Sequence, residues 1–213
     1  DRAQDFVYIE TPCVDNLTVQ SGTENLQWWT RLMTRMNTRK GLRVALCVPT
    51  RLAPGTPKMM HDLRDHCLLD AVTAMRTAFP DRFALFSPGT GAGRSLRLAS
   101  TSVVVDDVWA LTGTTHLSRR GLSWDSSLAA TVFDEQVTDG RSTDVRNFRI
   151  QLMSDRLGLP NTRLPQDPAE LIRAIRDLDT RGSNKLSVKP IVRPSTTPAN
   201  GDIDIWNPDG SAS

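Results

Sequence analysis

The sequence predicts an α/β fold, in which a mixed β-sheet is flanked by helices and an extended C-terminal tail follows. Strand-like and helix-like segments alternate in the first part of the chain, which is typical of a parallel α/β sheet. Short strands separated by turn residues come next, and two helix-like segments follow them. Residues after 182 are rich in proline, serine and threonine. We therefore expect one domain over residues 1–182 and an extended tail over residues 183–213.

The first part of the chain contains three predicted strands and two predicted helices. The strands are expected at 6–10, 42–48 and 83–86, and the helices at 24–38 and 57–79. Strand 42–48 is a nearly continuous apolar run, as expected for a strand that is covered on both faces. Each helix carries an apolar stripe at three- and four-residue spacing. The stripes are Leu26, Trp29, Leu32, Met33 and Met36 in the first helix, and Leu63, Cys67, Ala71, Met75 and Phe79 in the second.

The second part of the chain predicts a hairpin, a further strand and two helices. The strands are expected at 95–105, 108–111 and 128–133, with turns at Asp106-Asp107 and around Gly121. The helices are expected at 143–157 and 168–180. Asp167 and Pro168 are suited to cap and begin the last helix. In the tail, Ile203, Ile205 and Trp206 could anchor the chain on its own domain or on a neighbour.

Composition places few limits on function. The formal net charge is only +2, from 26 basic and 24 acidic residues, which is weak evidence for a polyanionic partner. The apolar runs are far shorter than the roughly 20 residues that span a bilayer, so we expect no transmembrane segment. Cys47 and Cys67 lie in apolar patterns typical of buried thiols, and Cys13 has no Cys-x-x-Cys partner. No metal-ligand spacing involves His61 or His66, so we expect no metal site, and we expect no cofactor.

One segment carries a motif with a defined spacing. Asp106 is followed, after six residues, by Gly113-Thr114-Thr115-His116. This spacing resembles the signature of the phospholipase D superfamily: His-x-Lys, four residues, Asp, six residues and Gly-Ser-x-Asn. On that alignment the family histidine falls on Ala99, the lysine on Thr101 and the asparagine on His116. The motif is therefore degenerate, with its spacing kept and its catalytic side chains replaced.

A second stretch supports the same resemblance. Val7-Tyr8-Ile9-Glu10-Thr11-Pro12 resembles the start of the family's second repeat, where a strand ends in Ile-Glu. The resemblance then covers about residues 4–160 and includes the order of the elements. It implies a phospholipase D-like mixed sheet flanked by helices. It also implies a domain of the C-terminal-half type, and together with the composition it favours a bacterial source.

The family's chemistry depends on side chains that this chain lacks. In the family, two motifs face one another across a pseudo-twofold axis; one histidine attacks phosphorus and the other protonates the leaving group. The lysines and asparagine-type residues stabilise charge on the phosphoryl oxygens. Ala99 can neither attack nor transfer a proton, and Thr101 supplies no fixed positive charge. Ser127 stands where the family has a later acidic residue. The resemblance therefore implies the fold without independent phosphodiesterase activity.

His116 is the weak candidate that survives for chemistry. A histidine there could bind phosphate or act as an acid or base, since its unperturbed pKa lies near neutrality. Alternatively, it could form a hydrogen bond within the hairpin and hold the turn. Asp106 orients neighbouring groups in the family and could simply make the turn here, and we interpret Asp107 as a turn residue.

Arg119 and Arg120, with Arg94 and Arg97 nearby in sequence, form a basic cluster. Such a cluster, together with His116, could contact phosphate, an anionic head group or a nucleic-acid backbone. Alternatively, the arginines could be solvated or form a salt bridge with Asp125. His61 and His66 are interpreted as ordinary surface or boundary residues of a helix.

Two functions fit these observations. The first is a catalytically inactive phospholipase D-like domain, a pseudoenzyme, that acts as a structural or protein-interaction module. The second is the C-terminal half of a phospholipase D-type phosphodiesterase whose active motif lies in another segment or chain. Both imply a protein partner, either another chain or an N-terminal phospholipase D-like half. We expect a cytoplasmic location, or export by a dedicated secretion machine.

Overall fold

A computed structural model describes residues 1–16, 19–21, 24–50, 52–88, 96–134 and 136–180. The strands are β1 (Phe6–Glu10), β2 (Val19–Ser21), β3 (Glu24–Leu26), β4 (Arg43–Cys47), β5 (Phe83–Phe86), β6 (Thr101–Val105), β7 (Trp109–Gly113), β8 (Ala129–Phe133), β9 (Val137–Thr138) and β10 (Arg141–Ser142). The helices are α1 (Trp28–Thr38), α2 (Lys58–Ala78), α3 (Arg119–Ser123), α4 (Thr143–Leu157) and α5 (Pro168–Thr180), with a 3₁₀ turn at Asn161–Arg163. Arg94 and the predicted tail, including Trp206, lie outside the described residues.

The central element is a six-stranded mixed sheet with the order β5-β4-β1-β6-β7-β8. Strands β1, β4 and β5 are parallel, as the alternation of strands and helices predicts. Strand β6 is antiparallel to β1, and β6, β7 and β8 form an antiparallel meander. The predicted mixed α/β sheet flanked by helices is therefore confirmed.

Helices cover the two faces of the sheet around its central strands. On one face, the α1–α2 face, Val7 and Ile9 pack with Trp29 and Leu68 from the two helices. On the other, the α4–α5 face, Tyr8 packs among residues of α4 and α5. Strand β1 contributes to both cores and all its residues are buried. This explains why the strand lacks the apolar–polar alternation of a half-exposed strand.

The last two helices begin at the residues that the sequence indicates. The Ser142 hydroxyl accepts a hydrogen bond from the backbone N–H of Val145 at the start of α4. The Asp167 carboxylate accepts from the N–H groups of Ala169 and Glu170, at 2.8 and 3.0 Å, so the predicted cap of α5 is confirmed. Across the described part of the chain, no helix has both the length and the apolar content of a membrane span.

Two predicted boundaries were wrong. The helix expected from Glu24 begins at Trp28, because residues 24–26 form strand β3, which pairs with β2 in a short antiparallel hairpin. The strand expected from residue 95 begins at Thr101. Just before it, Leu98 is buried in the core of the α4–α5 face, so this apolar residue packs without belonging to a strand.

The turn expected around Gly121 is a short helix instead. Ser118 caps helix α3, and its hydroxyl accepts from the N–H of Gly121 at 3.2 Å. A Cβ atom on Gly121 would lie 2.4 Å from the carbonyl oxygen of His116. The glycine is thus required by close backbone packing beneath the motif loop rather than by a turn.

Candidate functional site

The register of the β6–β7 hairpin brings together part of the predicted motif. Thr101, at the start of β6, lies directly opposite Gly113 at the end of β7. The loop that follows Gly113 carries His116 to the same end of the sheet. The carboxyl end of β1, with Thr11 after it, reaches this end as well, since β1 is antiparallel to β6. We call Thr11, Thr101 and His116 the hydroxyl–histidine cluster.

Hydrogen bonding in this cluster centres on two threonines. Thr11 and Thr101 are both fully buried, and their hydroxyl oxygens lie 2.9 Å apart. The Thr11 hydroxyl also donates to the carbonyl oxygen of Cys13 and accepts from the N–H of Leu117. The position aligned with the family lysine therefore holds a neutral, hydrogen-bonded side chain enclosed by protein.

His116 borders this pair of threonines. Its Nδ1 atom lies 3.4 Å from the Thr101 hydroxyl oxygen, and its side chain is half-buried. Partial burial lowers the pKa of His116 below 6.5, and the Asp125 carboxylate opposes this shift. The imidazole is therefore neutral at neutral pH, and its contact with Thr101 fits the interpretation that His116 holds the loop by hydrogen bonding.

This lowered pKa gives a testable prediction. In an NMR titration, His116 should titrate below the pH expected for an unperturbed histidine, because burial disfavours the imidazolium. The unfolded chain then takes up the proton first, so the stability contributed by neutral His116 is present above its unfolded pKa of about 6.5. That contribution is lost as the pH falls from this value. His116→Gln should lessen the decline in unfolding free energy between pH 7 and 5, whereas a His116 pKa above 6.5 would contradict the prediction.

Ala99 is not drawn into the cluster. It precedes β6, and its side chain is exposed. Its methyl group offers neither a nucleophile nor a proton, as the sequence indicates. Ser127 is aligned with a later acidic position of the family. Its hydroxyl oxygen lies 2.8 Å from the hydroxyl oxygen of Thr115. Both positions therefore present neutral groups.

Gly113 and Thr114 contribute to backbone packing between β7 and β8. A Cβ atom on Gly113 would lie 2.2 Å from the carbonyl oxygen of Leu128, so only glycine fits without movement of the backbone. The Thr114 N–H donates to that same carbonyl at 2.9 Å, and its hydroxyl accepts from the N–H of Leu128 at 3.1 Å. In this chain both motif positions join the hairpin to the edge strand.

Asp106 lies at the opposite end of β6 from the cluster. Its carboxylate accepts hydrogen bonds of 2.7 to 2.8 Å from the N–H groups of Gln4, Asp5 and Phe6, which lead into β1. Its backbone has a positive φ of 54°, consistent with the predicted turn. The structure thus separates the motif aspartate from the threonines and gives it an orienting contact with the start of the sheet.

Asp107 combines the predicted turn with an ion pair that was not predicted. Its φ is 57°, and its buried carboxylate receives two hydrogen bonds from the buried guanidinium of Arg149 in α4. The second oxygen and the Arg149 Nη2 atom are 2.8 Å apart. Little in the sequence indicated this ion pair, because an arginine on a helix is usually solvated.

Another buried ion pair joins β1 to α4. Glu10 is 1% exposed, and its oxygens accept from Arg156 at 2.8 and 2.9 Å. The hydroxyl of Tyr8 also donates to Glu10, at 3.0 Å. The hydrogen bonds to Glu10 raise the pKa of Arg156, which keeps it charged. The Ile-Glu ending of β1 marked Glu10 in the sequence, but its partner is 146 residues away.

Two arginines of the basic cluster make contacts within the domain. The Arg120 Nε atom lies 2.7 Å from an Asp125 oxygen, which is the salt bridge considered from the sequence. The Arg119 side chain is buried, and its backbone N–H donates to the Asp15 carboxylate. Arg97 is exposed. Arg119 and Arg120 thus make contacts within the domain, and phosphate binding by these residues stays a prediction.

The two helix histidines differ in exposure, and the interpretation of His66 as a surface or boundary residue was wrong. His61 is partly exposed, whereas His66 is buried, with its Nε2 atom 3.4 Å from an Asp70 oxygen. In the residues that the structure describes, no group of three or more His, Cys, Asp and Glu side chains could hold a metal ion. All three cysteines are buried free thiols, and burial raises the pKa of Cys13 and Cys67 to about 12.

The mixed sheet, its flanking helices and the hairpin that carries the motif define a phospholipase D-like fold. Comparison with solved structures agrees with this assignment. Phosphatidylserine synthase from Haemophilus influenzae Rd KW20 has a TM-score of 0.52 and 15% identity to this chain, covering 86% of this chain and 41% of the synthase. This chain therefore spans less than half the length of that enzyme. At such identity the similarity concerns the fold.

Two further structures have lower TM-scores. Nuc from Salmonella typhimurium, a phospholipase D family member, has a TM-score of 0.47 and 13% identity, covering 74% of this chain and 81% of Nuc. NucT from Helicobacter pylori has a TM-score of 0.46 and 9% identity, covering 73% of this chain and 80% of NucT. No family profile matches the sequence, and no curated protein matches it.

Proposed function

We propose that this chain is a catalytically inactive phospholipase D-like domain that serves as a structural or protein-interaction module. The observation that carries the proposal is the state of Thr101, which is fully buried with its hydroxyl 2.9 Å from that of Thr11. In the family that the motif resembles, a lysine at the aligned position supplies the positive charge that stabilises the phosphoryl oxygens. The chain places a neutral hydroxyl there, enclosed by protein.

The nucleophile position supports the same proposal. Ala99 has no atom that can attack phosphorus, and His116 is the histidine within the motif. His116 lies beside a buried threonine rather than a lysine, and its lowered pKa keeps it uncharged at neutral pH. It could act as a base, but no fixed cation of the motif accompanies it. Loss of a nucleophile lowers the rate by several orders of magnitude in enzymes whose catalytic residues act as a unit.

The proposal predicts no phosphodiesterase turnover. Hydrolysis of a chromogenic phosphate diester and of a phospholipid in vesicles would be measured for the wild-type chain, His116→Ala and the matched control His61→Ala. All three should remain at the buffer background, because neither family residue needed for attack and charge stabilisation is present. Turnover that is lost in His116→Ala but retained in His61→Ala would overturn the proposal, since it would assign the chemistry to His116.

A second candidate is the C-terminal half of a phospholipase D-type phosphodiesterase whose active motif lies in another segment or chain. It is favoured by the length comparison, since this chain covers 41% of the phosphatidylserine synthase that it resembles in fold. Assaying the longest gene product that contains this chain separates the two candidates. Turnover by that product, with none from the isolated chain, would support the half-enzyme.

A further inference from the structure

The two edges of the central sheet differ in how they are covered. All four residues of β5, at one edge, are buried. At the other edge, the last four residues of β8 are exposed, with Val132 at 52% and Phe133 at 68%. Leu128, just before β8, is 81% exposed. An open edge strand with large apolar side chains is a template for pairing with another strand.

The ladder between β7 and β8 identifies the backbone groups at this edge. Gly113 lies opposite Ala129, and the N–H of Thr114 donates to the carbonyl of Leu128. Because hydrogen-bonded and non-hydrogen-bonded pairs alternate along an antiparallel ladder, residues 128, 130 and 132 direct their backbone groups towards β7. Ala129, Thr131 and Phe133 therefore direct their N–H and C=O groups away from β7, towards the open edge.

Apolar surface continues from β8 onto both faces of the sheet. On the α1–α2 face, Phe133 lines a groove of about 680 Å³ together with Val103 and Leu111. On the α4–α5 face, Val132 lines a smaller apolar cavity of about 240 Å³ with Phe148. A strand added beside β8 would therefore extend hydrogen bonding and apolar cover together.

We propose that this edge binds a second copy of the chain, with the two β8 strands antiparallel about a twofold axis at Thr131. In this register the outward backbone groups of one copy meet those of the other. Ala129 lies opposite Phe133 of the second copy, and Ala130 lies opposite Val132 of the second copy. Each of these two kinds of pair sets a small side chain beside a large one, and the axis pairs Thr131 with Thr131, so the strands can approach without a steric clash.

The charges around β8 are compatible with this arrangement. Residues 126–133 contain no Asp, Glu, Lys or Arg, so no like charges face one another along the paired strands. The two Asp134 residues would be separated by six strand positions, or about 20 Å, at which salt screens their repulsion. Asp125, the charged residue preceding this segment, is already paired with Arg120. The lysines that commonly protect open edges from self-association are absent from this strand.

This inference rests on the interaction role proposed above and supplies its surface and partner. The proposed inactive domain and the proposed pairing of β8 can be contradicted separately. Turnover by a dimeric chain would contradict the inactive domain but not the pairing of β8, whereas an inactive monomer would contradict the pairing alone.

The test measures self-association of the whole chain by analytical ultracentrifugation over a range of concentrations. Thr131→Lys would place two like charges opposite one another at the axis, and Thr131→Pro would remove an outward N–H without removing a bond to β7. Thr162→Lys adds the same charge at an exposed residue outside β8. We expect a concentration-dependent dimer for the wild type and Thr162→Lys, and at least tenfold weaker association for both Thr131 variants. Circular dichroism checks that each variant is folded.

Amide hydrogen exchange gives an independent readout. In the dimer, the N–H groups of Ala129, Thr131 and Phe133 should be protected, and this protection should fall on dilution to the monomer. A wild-type chain that is monomeric at all concentrations would overturn the proposal, as would a dimer retained by both Thr131 variants. Protection of these amides in a monomer would also overturn it, because the edge would then be covered by the chain itself.

Discussion

Arg149→Met is expected to lower the free energy of unfolding by about 3–5 kcal/mol, because it leaves the Asp107 carboxylate buried without its cation. The side chains of Arg149 and Asp107 are 2% and 7% exposed, so water cannot replace the lost hydrogen bonds without rearrangement. Arg149 also lies over the ring of Phe6, at 5.4 Å from its centroid. Denaturant unfolding followed by circular dichroism would measure the change.

Two further variants separate the ion pair from the loss of a large side chain. Arg163→Met makes the same substitution at an exposed arginine and should change stability by less than about 0.5 kcal/mol. Asp107→Asn combined with Arg149→Met removes both charges, and it should recover part of the loss while keeping a residue that tolerates positive φ. A loss below about 1 kcal/mol in Arg149→Met would show that the pair contributes little.

Trp29→Ala should lower the free energy of unfolding by about 3–5 kcal/mol, since it empties a large site in the core of the α1–α2 face. Trp29 is 2% exposed and packs edge-on against Phe83, with ring centroids 6.3 Å apart. Its indole N–H donates to the carbonyl of Ala71 at 2.7 Å, so the variant also leaves that buried acceptor without this donor. Chemical denaturation gives the size of the loss.

The matched control for Trp29 is Trp124→Ala. The Trp124 side chain is 58% exposed, so its removal should change the stability of the monomer by less than about 0.5 kcal/mol. The loss of stability in Trp29→Phe should lie between those of Trp29→Ala and Trp124→Ala, because this variant keeps an aromatic ring and loses the hydrogen bond. Equal losses in Trp29→Ala and Trp124→Ala would mean that burial does not decide the contribution of these side chains.

Much of the fold could be predicted because local sequence patterns depend on periodicity and caps. The bounds of β1, β5 and α4 agree with the sequence, since each is a short apolar run or a capped segment of regular spacing. The start of α1 could not be predicted in this way. Leu26 continues the apolar spacing of the helix, but residues 24–26 pair with β2, and this choice depends on a second strand rather than on local propensity.

Part of the candidate site could also be predicted from the sequence, and part could not. Motif spacing in the sequence marked Thr101, Gly113 and His116, and the hairpin register brings all of them to one end of the sheet. Thr11 joins them from 90 residues away along the chain, and no local pattern indicated its contact with Thr101. The spacing also grouped Asp106 with the motif, but an extended β6 holds this aspartate at the other end of the strand.

The sequence alone predicted the mixed α/β sheet and placed Ala99, Thr101 and His116 at the spacing of the motif it resembles, because these depend on residue identity and local periodicity. The tertiary structure alone decided which distant groups meet, such as Asp107 with Arg149 and Glu10 with Arg156. It also decided that β5 is covered and β8 is open. The physical reason is that ion pairing and edge exposure depend on how separate elements pack, and chain neighbours carry little information about that packing.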